Sequence, residues 1–271
     1  MASILGFGPV TRPLVLMIIL ALLRCSSAQM CSFWYSGCID PLAQTAVPID
    51  FSPLFPDPVI FYYGFDSNPS GKGQGPMTKA SYWLRYQDRK INKNAVTSNR
   101  TSEIAMRVGN LTGTPSGTTN GCDGIWGNPC SHDIKGALQH TIFRLSMSGK
   151  YYSKPLEAAL EQMMNYPPHL PNCGAPIFDV ASIPVQDFAK EITPGENVSV
   201  MPSGSSQRPW QVWYIDDMTS HNQASQVAVG IIARSPTYNS PPPLSPDEIQ
   251  IELACLQAPQ GPPMGPSNDH D

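Results

Sequence analysis

The sequence predicts an α+β fold: a small mixed or antiparallel sheet with about three helices, loop-rich and stapled by disulfides. Three observations lead there. Short β-branched and aromatic runs crowd the first half of the chain. Apolar residues recur at helical spacing in the second half. The chain holds 29 prolines in 271 residues, about twice the usual frequency. Each proline lacks a backbone donor and fixes φ, which interrupts regular structure and argues against a helical bundle.

The elements follow in order. Residues 39–57, with several prolines and few charges, are expected to cross the surface in extended form. Val59–Phe65 (VIFYYGF) reads as a buried strand, and the Gly, Pro and Ser residues from Gly64 to Met77 read as a loop. Ser81–Tyr86 and Glu103–Val108 are further strand candidates, the second with Ile104, Met106 and Val108 alternating. Residues 110–130 are dense in Gly, Thr, Asn and Pro and read as a long loop where a sub-domain boundary could fall. Ser131 is the expected N-cap of a first helix carrying Ile134, Leu138, Ile142 and Leu145, ended by Gly149. Ser153 is the expected cap of a second, with Pro155 in its first turn, Leu156, Leu160 and Met163 on its apolar face, and Pro167-Pro168 as its stop. Pro209–Asp217 reads as a strand. Thr219 or Ser220 then caps a third helix with Ala224, Val227, Ala228, Ile231 and Ile232 inward. Ile249–Cys255 alternates with period two and reads as a strand, although Ser245-Pro246-Asp247-Glu248 could equally start a helix there.

The N-terminus indicates export. Leu14–Leu23 is a continuous apolar run of ten residues, whereas a membrane-spanning helix needs roughly 20. Ser26 and Ala28 supply the small-residue pattern of a cleavage site. Residues 1–28 are therefore expected to be a signal peptide, with Gln29 as the mature N-terminus. The organisation that follows is one α+β domain over 29–256, β-leaning over 29–109, looped over 110–130 and helix-containing over 131–256. A disordered tail over 257–271 completes it.

Cysteine and asparagine usage agrees with export. Of 7 cysteines, Cys25 leaves with the signal, which leaves Cys31, Cys38, Cys122, Cys130, Cys173 and Cys255. An even count in an exported chain reads as disulfides. Proximity favours Cys31–Cys38 and Cys122–Cys130, leaving Cys173–Cys255. No Cys-x-x-Cys or clustered Cys/His spacing is present, so neither a metal site nor a cofactor is expected. Asn99, Asn110 and Asn197 open Asn-x-Ser/Thr sequons and are expected glycosylation sites on the surface.

Charge narrows the partners. Loss of Arg12 and Arg24 with the signal lowers the basic count from 17 to 15 against 21 acids, a formal charge of −6. An acidic chain without a Lys/Arg block argues against nucleic acid, and after signal cleavage against a membrane, as its main partner.

Candidate chemistry is sparse. Asp216 and Asp217 sit at a strand end beside Trp210, Trp213 and Tyr214, and carboxylates near aromatic platforms suit glycoside hydrolysis. Turn and cap chemistry explains the same two residues. His132 and His140 lie two helical turns apart, roughly 12 Å by rise, too far to share one metal ion. His169 and His221 are isolated, and no Gly-x-Ser-x-Gly, His-Glu-x-x-His or P-loop pattern occurs. Phe33-Trp34-Tyr35 and Phe61-Tyr62-Tyr63 can stack on sugar rings, though core packing explains such clusters too.

Pro209–Asp216 (PWQVWYID), Val227–Ile232 (VAVGII) and Ser240-Pro241-Pro242-Pro243 together resemble secreted proteins of filamentous fungi that carry no assigned activity. The resemblance covers about the last quarter of the chain and implies no functional residue. The function expected from the sequence is that of a secreted, glycosylated, disulfide-stabilised protein that acts by interaction, with wall polysaccharide or an extracellular protein as partner. The alternative is an extracellular carbohydrate-active hydrolase using Asp216 or Asp217.

Overall fold

The computed structural model describes residues 31–87, 91, 99–148, 152–174, 176–191, 198–237 and 240–259. The expected signal peptide, Gln29, Gly149, Asn197 and residues 260–271 lie outside the described residues.

Among the described residues nine strands dominate: β1 Ala43–Ile49, β2 Val59–Asn68, β3 Met77–Arg85, β4 Arg100–Arg107, β5 Val185–Glu191, β6 Val198–Val200, β7 Gln211–Asp216, β8 Val227–Pro236 and β9 Gln250–Gln257. Four helices accompany them: α1 Asp123–Trp126, α2 Asn128–Met147, α3 Pro155–Asn165 and α4 Ser220–Ser225. The strands form a four-stranded sheet ordered β1-β2-β3-β7 and a five-stranded sheet ordered β6-β5-β4-β8-β9, and every pairing is antiparallel. The expected α+β fold with a small sheet and about three helices is therefore overturned: the fold is sheet-rich.

The period-two alternation of strands explains three layers. Phe61, Tyr63 and Phe65 of β2 and Tyr82 and Leu84 of β3 meet Ile104 and Met106 of β4, Ala228 and Ile232 of β8 and Ala254 of β9, which closes the two sheets face to face. The other face of the larger sheet presents Ala105, Val229, Ile231, Ala233, Ile251 and Leu253 to Ile134, Leu138 and Ile142 of α2 and Leu156, Leu160 and Met163 of α3. Full burial of one such Leu, Ile or Phe stabilises by roughly 1.5–3 kcal/mol. Gly230 lets the sheets approach: a β-carbon there would lie 2.0 Å from the Phe61 ring.

This layering explains the main errors of the sequence reading. Val227–Ile232 is strand β8, not helix, because a strand covered on both faces is apolar at every position. Thr219 does cap α4, accepting from the Asn222 N–H at 3.1 Å, but that helix ends at Ser225. The 39–57 segment contains β1, whose Pro48 is tolerated because β1 ends the order of its sheet. Phe51, Leu54 and Phe55 after it are buried. β5 and β6 were not anticipated; the sequence VQDFAKE of β5 lacks a clean alternation. At the far end, Gln257 closes β9 and Ala258 is buried.

Helix starts differ as well. α2 begins at Asn128, with Pro129 in its first turn and Ser131 inside it, so Ser131 is not its cap. For α3, Ser153 is not the cap either. The buried carboxylate of Glu103, from β4, accepts from the N–H of Leu156 at 2.7 Å and of Glu157 at 3.2 Å, serving the orphan donors that a cap would serve.

The disulfides are Cys31–Cys38, Cys122–Cys255 and Cys130–Cys173. Proximity identified the first and mispaired the other two. Cys122 at the start of α1 reaches β9, and Cys130 in the first turn of α2 reaches the turn after α3. The 110–130 loop is further anchored to β9: Asn120 Nδ2 donates to Leu253 O at 2.8 Å, and the Cys255 N–H donates to Asn120 O at 3.0 Å.

Candidate binding surface

The two aromatic clusters behave differently. Phe61 and Tyr63 are core residues, and Tyr62 stacks on Trp83 across the β2–β3 pair at 5.3 Å. Trp34 and Tyr35, by contrast, are 48% and 51% exposed. Both belong to the eight-residue Cys31–Cys38 staple, which lies against the outer face of the smaller sheet.

Several contacts fix these rings. Trp34 stacks on Tyr214 of β7 with centroids 6.0 Å apart, and Phe33 packs edge-on against both. The Tyr214 hydroxyl donates to Phe33 O at 3.0 Å, and burial pushes its phenol pKa up. The Tyr35 ring rests on Gly37, where a β-carbon would meet it at 2.5 Å. Beneath the staple lies Lys79 of β3, fully buried, its Nζ donating to Tyr35 O at 2.6 Å and Ser32 O at 3.1 Å. Burial pulls the Lys79 pKa down, while Asp66, its cross-strand partner in β2, raises it. Burial likewise pushes the Asp66 carboxyl up; the Ser67 N–H and Lys79 oppose this, and Asp40 adds to it. A buried ammonium on two carbonyls is a costly arrangement for mere packing, and here it orders a loop whose aromatic residues stay in solvent.

Two clefts lie elsewhere. One, of about 400 Å³, is lined only by polar residues, among them Asp50, Asn120, Lys135 and Glu252. Lys135 and Glu252 pair across it at 3.2 Å. The other, of about 750 Å³, is lined by Phe55, Pro56, Ile60, Arg85 and Tyr86 among others. Beside the first cleft, burial would push Asp123 up, but hydrogen bonds from Thr118, Thr119 and Ser131 outweigh it and hold the carboxyl well below the usual range. That network orders the loop around Cys122.

Asp216, at the end of β7, and Asp217, just after it, are both exposed, with Asp217 in the left-handed region at φ 57°. They do not line either cleft. His132, His140, His169 and His221 are exposed, and Asp133 accepts from the backbone and side-chain N–H groups of Asn172. Among the described residues no group of three or more His, Cys, Asp and Glu side chains is placed to hold a metal, and no helix is long and apolar enough to cross a membrane. Asn110 is exposed and Asn99 half-buried at the start of β4. The sequence named Trp34 and Tyr35, but the roles of Lys79, Glu103 and Asp123 carry no pattern a reader of the chain could have found. No family model, curated protein or solved structure matches the chain.

Proposed function

We propose that this is a secreted, glycosylated protein that acts by binding, and that its Trp34–Tyr35 surface stacks on the sugar rings of wall polysaccharide. The observation that carries the reading is a pair of half-exposed aromatic rings on a staple closed by a disulfide and tied to Lys79 and Tyr214. Rigid, exposed aromatic side chains lose little entropy on binding and offer flat apolar faces with a polar edge. Three disulfides and the leader read from the sequence support export.

The test is retention of the mature protein on insoluble wall polysaccharides, with soluble sugar release recorded in parallel. Depletion from solution without release is expected. Trp34→Ala is expected to weaken retention roughly 10-fold or more, as loss of one well-packed aromatic contact does, with an unchanged melting temperature. Retention unaffected by Trp34→Ala would refute the reading. Sugar release abolished by Asp216→Asn or Asp217→Asn would put the hydrolase in its place.

A further inference from the structure

We propose that the Trp34 surface prefers a cationic glycan, a polymer of amino sugars with protonated amines, over neutral polysaccharide. This rests on the binding role proposed above and adds a charge preference to it.

Sheet register and chain position place three carboxylates near the staple. Asp216 lies two residues beyond Tyr214 on β7, so it shares that residue's face of the sheet. Asp66, Lys79 and Tyr214 form one cross-strand row, Asp66 pairing with Lys79 and Lys79 with Tyr214. Asp40 follows the disulfide staple closely and interacts electrostatically with Asp66. Asp40 and Asp216 are exposed and Asp66 is half-buried.

The cation in this row offsets only its neighbour Asp66 and leaves the exposed Asp40 and Asp216 to carry the negative charge. Lys79 is fully buried and its Nζ points into the carbonyls of Ser32 and Tyr35. A ligand approaching Trp34 therefore meets aromatic faces edged with negative charge. An ammonium is attracted by the aromatic quadrupole and by the carboxylates together. The apolar face of the attached sugar ring packs on the indole as a neutral sugar would, so the amine supplies an additional attraction.

The experiment titrates the mature, disulfide-intact protein with chitosan oligomers and with fully N-acetylated oligomers of equal length, at mildly acidic pH and at two salt concentrations. Two exposed ion pairs and a cation–π contact predict roughly 10-fold tighter binding of the free-amine oligomer at low salt, shrinking to about twofold at high salt. Asp40→Asn combined with Asp216→Asn is expected to reduce the low-salt preference to about twofold by the same reasoning. Trp34→Ala is expected to weaken binding of both oligomers.

Equal affinity for the two oligomers, with both lost in Trp34→Ala, overturns the charge preference and leaves the binding role standing. Binding of neither oligomer overturns the proposal, while retention on neutral wall polysaccharides decides the binding role separately. A lysine homopolymer that binds as tightly as the chitosan oligomer, and competes with it, overturns a glycan occupant in favour of a basic peptide.

Discussion

Replacing Glu103 by glutamine tests how a buried carboxylate couples the sheet to α3. Glu103 is fully buried and accepts from the Leu156 and Glu157 N–H groups. Burial pushes its pKa up from 4.5 to about 7; the two hydrogen bonds oppose this, and Glu157 and Asp187 add to it. The folded state thus holds this proton more tightly than the unfolded chain. The stability it contributes is complete below the unfolded pKa and is lost as pH rises through about 7. Linkage between those two values removes about 2–3 kcal/mol between about pH 5 and about pH 8. Glutamine resembles the neutral acid in shape and keeps one oxygen for the Leu156 N–H, but it cannot ionise. Glu103→Gln should therefore cost little in acid and gain on the wild type by about 2–3 kcal/mol by about pH 8. Denaturant midpoints of both proteins, disulfides intact, measure this across the range. Taking the difference between them cancels groups common to both, Asp123 included. Parallel stability curves, or a wild type that gains on the variant as pH rises, would refute the reasoning.

Two more perturbations probe the packing. Gly230→Ala places a methyl against the Phe61 ring, where the ideal position is 2.0 Å away, and should cost about 1–3 kcal/mol or more in denaturant unfolding as the sheets are forced apart. Serine at both Cys122 and Cys255 opens a loop of 133 residues that Cys130–Cys173 already shortens by 43. Loop entropy for the remaining path of about 90 residues predicts a loss of about 4.5 kcal/mol, read as a lowered denaturant midpoint with an unchanged near-ultraviolet spectrum before the transition.

Legibility from sequence followed burial geometry. β2, β3, β4, β7 and β9 were readable because their runs are short, β-branched or aromatic, and bounded by turn residues. β8 was not, since periodicity cannot separate a strand covered on both faces from a buried helix. β1 was hidden by Pro48, whose cost depends on lying at a sheet edge. Cysteine spacing failed for Cys122 and Cys130 because they start different helices, and their partners, on β9 and after α3, are set by tertiary packing. The aromatic run 33–35 was noticed, yet its exposure depends on Lys79, a lysine with no mark in the sequence to show that it would be buried.

The order of strands in the larger sheet also bears on when the chain can fold. β4 sits at its centre, but one neighbour, β8, is synthesised more than a hundred residues later, and β9 later still. The smaller sheet likewise waits for β7 to flank β3. A nascent chain cut off before residue 227 has three of the five strands of the middle layer, and β4 has no partner on the β8 side. Completion of both sheets is thus deferred until nearly the whole chain has been made, and the Cys122–Cys255 bridge can close only once Cys255 has been added.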